Sequence, residues 1–175
     1  MAFDAFCYAK DSSQMKGETQ DEIYSKLHAF EILSFELGAE NVINIGSVTG
    51  GGGAGKATFK EFTVTKKTDT ASTQLFHALC TGSHLGDVAI DLRRSGMASK
   101  TLKSGGVFMK FELKLAMVQD ISWSGSDGDD VCEETVIFQF GAIKVTYTPQ
   151  DSAGAGKTPT VAMWSRVKNN GLFEV

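Results

Sequence analysis

Two-residue alternation of apolar and polar side chains recurs along most of this chain, and that period commits it to β-structure. Met109, Phe111, Leu113, Leu115 and Met117 alternate with Lys110, Glu112, Lys114 and Ala116. Val88, Ile90 and Leu92 alternate with Ala89, Asp91 and Arg93, and Phe3, Ala5, Cys7 and Ala9 oppose Asp4, Phe6, Tyr8 and Lys10. Val136, Phe138 and Phe140 are followed by Ile143, Val145 and Tyr147, with the phase slipping at Gly141-Ala142 as a bulge requires. Between Phe30 and Leu37 one face carries Leu33, Phe35 and Leu37 and the other Ile32, Ser34 and Glu36. The first set is the more apolar and is expected inside. Many amphipathic strands with short turns predict a mainly β fold, a barrel or sandwich of antiparallel strands. Lys16-Gly17-Glu18-Thr19 reads as a turn and Ser124–Asp129 as a hairpin loop.

One segment breaks the period. Leu75, Phe76, Leu79 and Cys80 form a helical stripe, Asp69 or Thr70 can cap its start, and Gly82 ends it. A single flanking α-helix on a compact β-barrel fits 175 residues as one domain spanning 1–175. Scarce proline (2) and abundant phenylalanine (12) suit long strands.

The charge balance speaks against a phosphate-backbone partner. Lys+Arg total 17 against Asp+Glu 21, a net charge of −4, so no nucleic acid is expected. No stretch reaches transmembrane length, so no membrane insertion is expected. The first residues, Met1–Cys7, lack a basic region followed by an apolar run, so no signal peptide is expected. Cys7, Cys80 and Cys132 make an odd count without framework spacing and read as reduced, buried thiols of a protein assembled in a reducing compartment.

The glycine run Gly50-Gly51-Gly52-Gly53-Ala54-Gly55-Lys56 comes close to a phosphate-binding loop. Gly50, Gly55 and Lys56 fit G-x-x-x-x-G-K, but Ala57 stands where a magnesium-binding hydroxyl belongs. Such a loop must also open a helix, whose free N–H groups hold the phosphate. This one opens Thr58–Lys66, a strand pattern in which Phe62 and Val64 alternate with Glu61, Thr63 and Thr65. The run therefore reads as part of a long loop from Gly38 to Lys56, and loops of that length in compact domains are usually functional.

Candidate chemistry is sparse. His77 and Cys80 can share a helix face, but His84 lies beyond Gly82 and no fourth ligand is near in sequence, so no metal site is assigned. There is no Gly-x-Ser-x-Gly elbow. Asp129-Asp130 and Glu133-Glu134 fail the calcium-loop spacing and read as a solvated turn. No catalytic constellation and no cofactor is expected.

Ala2-Phe3-Asp4, Lys16–Thr19, the Gly50–Lys56 run, Cys80-Thr81-Gly82-Ser83-His84, Val88–Arg94, the strand 107–118, Val136–Gly141 and Val145-Thr146-Tyr147-Thr148-Pro149-Gln150 occur in one order. In that order they resemble the Hcp family, the haemolysin-coregulated proteins of the type VI secretion inner tube. The resemblance covers nearly the whole chain. It implies a compact β-barrel with one flanking helix, six copies in a ring, and rings stacked into a tube. It implies a tube built in the cytoplasm, contacting spike and sheath proteins and fired out of the cell, with small effector proteins in its lumen. It also implies that no toxin domain is fused to the barrel. Within it, Gly46 and Gly50–Lys56 are expected to form an assembly loop, and the Ile32, Ser34 and Glu36 face to line the lumen. Two other readings stay open: a phosphate- or nucleotide-binding protein using Lys56, and a monomeric ligand-binding barrel.

Overall fold

In the computed structural model the described residues are 3–10, 15–44, 53–94, 106–151 and 156–175. Gly46, Gly50, Gly51 and Gly52 lie outside them. The strands are β1 (Phe3–Ala9), β2 (Phe30–Glu31), β3 (Ser34–Glu36), β4 (Ala39–Asn44), β5 (Gly53–Phe59), β6 (Phe62–Lys67), β7 (His84–Arg94), β8 (Gly106–Ser124), β9 (Glu133–Gln139), β10 (Ala142–Tyr147) and β11 (Thr160–Ser165). One nine-stranded antiparallel sheet runs β2-β1-β7-β8-β9-β6-β3, with β10 on β8 and β11 on β10. The mainly β expectation with one α-helix holds. The expected hairpin loop also holds, joining β8 to β9.

Closure of the barrel is corrected. Among the described residues no ladder joins β2 to β3, so the hydrogen-bonded sheet is open. Its two edges are nonetheless held together by one bent segment. The Ile32 N–H donates to Ala5 O (2.9 Å), on β1, and the next N–H, of Leu33, donates to Thr65 O (2.7 Å), on β6. Phe30, Ile32 and Phe35 can all reach the core only if the phase resets at this bend. Ile32 is accordingly buried with Phe30, while Leu33 is 52% exposed and Ser34 and Glu36 face solvent. The placement of Ile32 on an outward face with Ser34 and Glu36, and of Leu33 in the core, is therefore reversed.

A second bend sits at mid-sheet. β8 is 19 residues long and pairs with β10 through Met109–Lys114, then with β9 through Met117–Ser124. Leu115 takes a left-handed conformation (φ 52°) opposite Gly141, whose N–H donates to Lys114 O (2.8 Å). A Cβ on Gly141 would lie 2.8 Å from Val175 Cγ1 and 3.2 Å from Leu115 Cβ, so a side chain there would crowd the corner. The phase slip at Gly141-Ala142 is this corner.

The helix α1 (Thr70–Thr81) is capped as expected. Asp69 accepts from Ala71 N, Ser72 accepts from Asp69 N, and Gly82 ends the helix in the left-handed region. Its buried face is Ala71, Leu75 and Ala78, spaced i, i+4, i+7, so Phe76 and Cys80 fall at the margin. Cys80 and Cys132 are exposed and only Cys7 is buried, which corrects the reading of all three as buried thiols. A short 3-10 helix, Tyr24–Leu27, that the alternation did not announce lays Tyr24 over Phe6 on the outer side of β1 (ring centroids 4.0 Å apart).

Two ionic side chains lie inside the apolar core. Lys66 is in phase with Phe62 and Val64, and Glu134 with Val136 and Phe138, so the strands carry both inward. They are 0% and 1% exposed. Lys66 Nζ donates to Glu134 Oε1 and to Asp69 Oδ1 at 2.7 Å each, and Trp123 Nε1 donates to Glu134 Oε2 (2.6 Å). The cluster fastens the start of α1 to β6 and β9. Removing Lys66 leaves the buried Glu134 carboxylate without its counter-charge. Lys66→Ala is expected to cost about 3–5 kcal/mol, and the double change Lys66→Met with Glu134→Leu less than that. Urea unfolding of both variants checks the order; equal losses would remove the pairing argument.

Candidate functional site

The assembly loop expected at Gly46–Lys56 is anchored on an arm. Among the described residues β4 and β5 pair only with each other, as a separate two-stranded sheet. Ala39 opposes Phe59 and Asn41 opposes Ala57, then the register shifts so that Ile43 opposes Ala54 and Asn44 opposes Gly53. Val42 thus faces two residues, Gly55 and Lys56, across a β-bulge. The loop reading of Gly38–Lys56 is corrected: Ala39–Asn44 and Gly53–Lys56 are strand, because pairing satisfies backbone groups that a long loop leaves bare. The β-branched run Val42-Ile43 was the signal for it.

Lys56 is exposed on β5 and is followed by more strand, β6, before any helix. The helix N-terminus that a phosphate-binding loop requires is not supplied at this lysine. His77 and Cys80 are exposed on α1 and His84 is exposed at the start of β7; among the described residues no three metal-ligating side chains converge.

The base of the arm packs on the β9–β10 corner. The Lys60 N–H donates to Gly38 O (2.9 Å), and Phe59 meets Phe140 edge to face (6.2 Å). Between them opens a slot of about 520 Å³, lined also by Lys56, Trp164 and Arg166. Arg166 Nη1 donates to Gln139 Oε1 (2.9 Å) and Phe140 O (3.0 Å). Sequence patterning did not point to this slot, because its residues come from three distant segments.

The outward faces of the main sheet differ in chemistry. On β3, β6 and β9, Ser34 stands opposite Thr65 and Glu36 opposite Thr63, and Thr63 and Thr65 in turn oppose Ile137 and Thr135. This is a polar, threonine-rich surface that includes two of the three residues expected at the lumen. On β1, β7, β8 and β10 the outward face combines ionic side chains with the aromatic rings of Phe6 and Tyr8. Asp91, nearly buried, accepts from Tyr24 OH (3.0 Å) and Tyr8 OH (3.3 Å) and lies 3.2 Å from Lys110 Nζ. Burial, and then the Asp91 charge, push the Tyr24 phenol up. Burial works against the charge on Lys110, but Asp91 and the Tyr8 hydroxyl outweigh it and hold that lysine above its usual value.

Glu112 is held between Lys10 and Lys144, the latter at 2.5 Å. Burial favours its neutral form, and the two lysines overcome that, so its carboxyl lies below its ordinary value of 4.5. A carboxylate lowered in the folded state contributes stability above its unfolded pKa, and that contribution is lost as pH falls through the folded pKa. Glu112→Gln is therefore expected to lower Tm at pH 7 and to flatten the fall in Tm below about pH 4.5. Thermal unfolding from pH 7 down to 3 tests this, and an unchanged acid slope would refute it.

Comparison with known proteins decides the family. The family model described as "Type VI secretion system effector, Hcp" matches residues 8–147, most of the chain. This chain belongs to the Hcp family. Its matched span runs from within β1 to the last residue of β10 and takes in the arm and α1. Protein hcp1 of Pseudomonas aeruginosa is 31% identical over 100 residues, covering 57% of this chain and 59% of that protein's length. A solved structure of a type six secretion system protein superposes with a TM-score of 0.84 at 26% identity, covering 97% of this chain and 99% of that one. Hcp1 from Salmonella typhimurium shares the fold, with a TM-score of 0.73 at 22% identity over 98% and 100% of the two chains. The chain is thus a type VI secretion Hcp protein with a β-rich fold.

Proposed function

We propose that this Hcp protein is a structural subunit, one domain of a type VI secretion tube. Six copies close into a ring, rings stack, and the tube is assembled in the cytoplasm and secreted. Spike and sheath proteins are its partners in the machine, and small effector proteins occupy the lumen. The family match supports this reading, and the observation that carries it is the arm. A two-stranded hairpin is marginally stable by itself in water. Here β4 leaves Ala39–Val42 exposed, with Val42 75% exposed, a poor arrangement for a monomer and a suitable one for a docking element. A ring-closing contact joins two different patches on each subunit, so each copy must carry both.

Mass in solution, followed by electron microscopy for rings, tests the reading directly; a single-subunit mass at micromolar concentration counts against it and favours the ligand-binding barrel. Deleting Gly50–Gly53 is expected to weaken ring or tube assembly while circular dichroism and Tm stay near those of the parent chain. Normal assembly of the deletion variant refutes the role of Gly46 and Gly50–Lys56 in assembly.

The lumen wall follows from the corrected facing. Ile32 belongs to the core, which leaves Ser34 and Glu36, beside Thr63 and Thr65, as the surface proposed to face the channel. Glu36→Arg is expected to leave ring size unchanged and to alter binding or stability of a co-expressed effector. Rings that carry every tested effector as before would exclude that face from the lumen.

A further inference from the structure

The slot beside the arm combines an apolar floor with a cationic rim. Phe59, Phe140 and Trp164 line its floor. The Arg166 guanidinium lies over the Phe140 ring, 4.9 Å from its centroid. Its Nη1 is engaged by Gln139 and Phe140, while Nε and Nη2 have no partner among the described residues. Lys56 stands exposed at the same opening and pairs with no carboxylate among the described residues. A space of about 520 Å³ has room for a few side chains of a peptide segment. Its chemistry asks for an apolar side chain flanked by carboxylates.

The loop between β8 and β9 has this chemistry. The loop 125–132 between β8 and β9 contains Asp127, Asp129, Asp130 and Val131 and no lysine or arginine. Val131 is 45% exposed. Asp129 is occupied within the loop, accepting from Ser126 N (2.8 Å), but Asp127 and Asp130 have no partner among the described residues.

Loop and slot lie at opposite ends of one strand. β9 begins at Glu133, next to the loop, and ends at Gln139, which lines the slot. Seven extended residues separate the two by about 20 Å, so a subunit cannot place its own loop in its own slot. A rigid body with a plug at one end and a matching socket at the other associates head to tail, and if the copies are related by translation the contact never closes. We propose that the slot receives the 125–132 loop of a second copy, with Val131 on the aromatic floor and Asp127 and Asp130 at Lys56 and Arg166. This rests on the self-assembly reading above and names one of its contacts, the one that joins subunits along the tube.

The loop's native thiol supplies the test. Cys132 is exposed, and Val167, 61% exposed, lies at the slot mouth. In the full chain carrying Val167→Cys and Cys80→Ser, oxidation with oxidised glutathione is expected to link the introduced thiol to Cys132 of the next copy. Non-reducing electrophoresis should show a ladder of dimers and higher species, lost on adding Cys132→Ser. Lys56→Asp or Asp130→Lys alone should cut the ladder yield at least tenfold, and the two together should restore it. Rings without a Cys132-dependent ladder overturn this contact and leave the ring reading standing. A ladder in protein that forms no rings supports the contact and counts against the hexamer. A ladder indifferent to both charge reversals overturns the pairing, and folded protein that stays monomeric without a ladder overturns both readings.

Discussion

The architecture depends on the bend at Ile32 and Leu33. Without it the main sheet would present two bare edges, one on β1 and one on β6, each a row of unpaired backbone groups open to aggregation. Two consecutive N–H groups tie those edges together at the bend, because it aims the Ile32 donor at Ala5 and the Leu33 donor at Thr65. The same segment is steered from outside. Gly17 packs so close to the Ala29 carbonyl that a Cβ there would approach within 2.4 Å, and its N–H donates to His28 O (2.8 Å). Lys16–Thr19, which forms no turn and instead runs beside His28 and Ala29, therefore sets where the chain enters β2, and β2 sets where the two edges meet.

Much of this was legible in the pattern of side chains, and the failures have physical causes. Alternation located β7, β8 and β9 because both faces of those strands differ strongly in polarity, as Val88, Ile90 and Leu92 against Asp91 and Arg93 show. It failed at Leu33, where a bend lets two neighbours, Leu33 and Ser34, both face solvent. Periodicity assumes a straight strand, and a phase reset between two short ones is invisible to it. The arm was read as loop because glycine dominates one of its strands, although pairing depends on the partner backbone and not on side chains. Cys80 sat on the predicted stripe, but the helix turns its Ala71–Leu75–Ala78 face to the core. The slot could not be read at all, since Lys56, Phe140 and Arg166 meet only after the corner has formed.

The buried charges carry a lesson that hydrophobicity alone obscures. Glu133-Glu134 was read as part of a solvated turn, yet Glu134 lies in phase with Val136 and Phe138, and Lys66 with Phe62 and Val64, so both point inward. A fully apolar pair of similar volume often stabilises a core at least as well as a buried ion pair. What the ionic pair adds here is direction. Lys66 also binds Asp69, the residue that caps α1, and Trp123 binds Glu134 from β8, so helix start and strand register are defined by one set of hydrogen bonds.

The distribution of features along β9 has a consequence for how copies meet. Strand pairing fixes the distance between its two ends, and Val136 and Phe138 anchor it in the core between them. The acidic loop at one end and the cationic slot at the other are thus held apart by a strand paired on both sides. Neither can satisfy the other within a subunit, and any attraction between them acts only between copies. The arm adds to the slot end alone, since its base forms one wall of the slot. A subunit built this way is polar along β9. Copies that add along that axis share one orientation, which is the condition for a tube whose two ends differ.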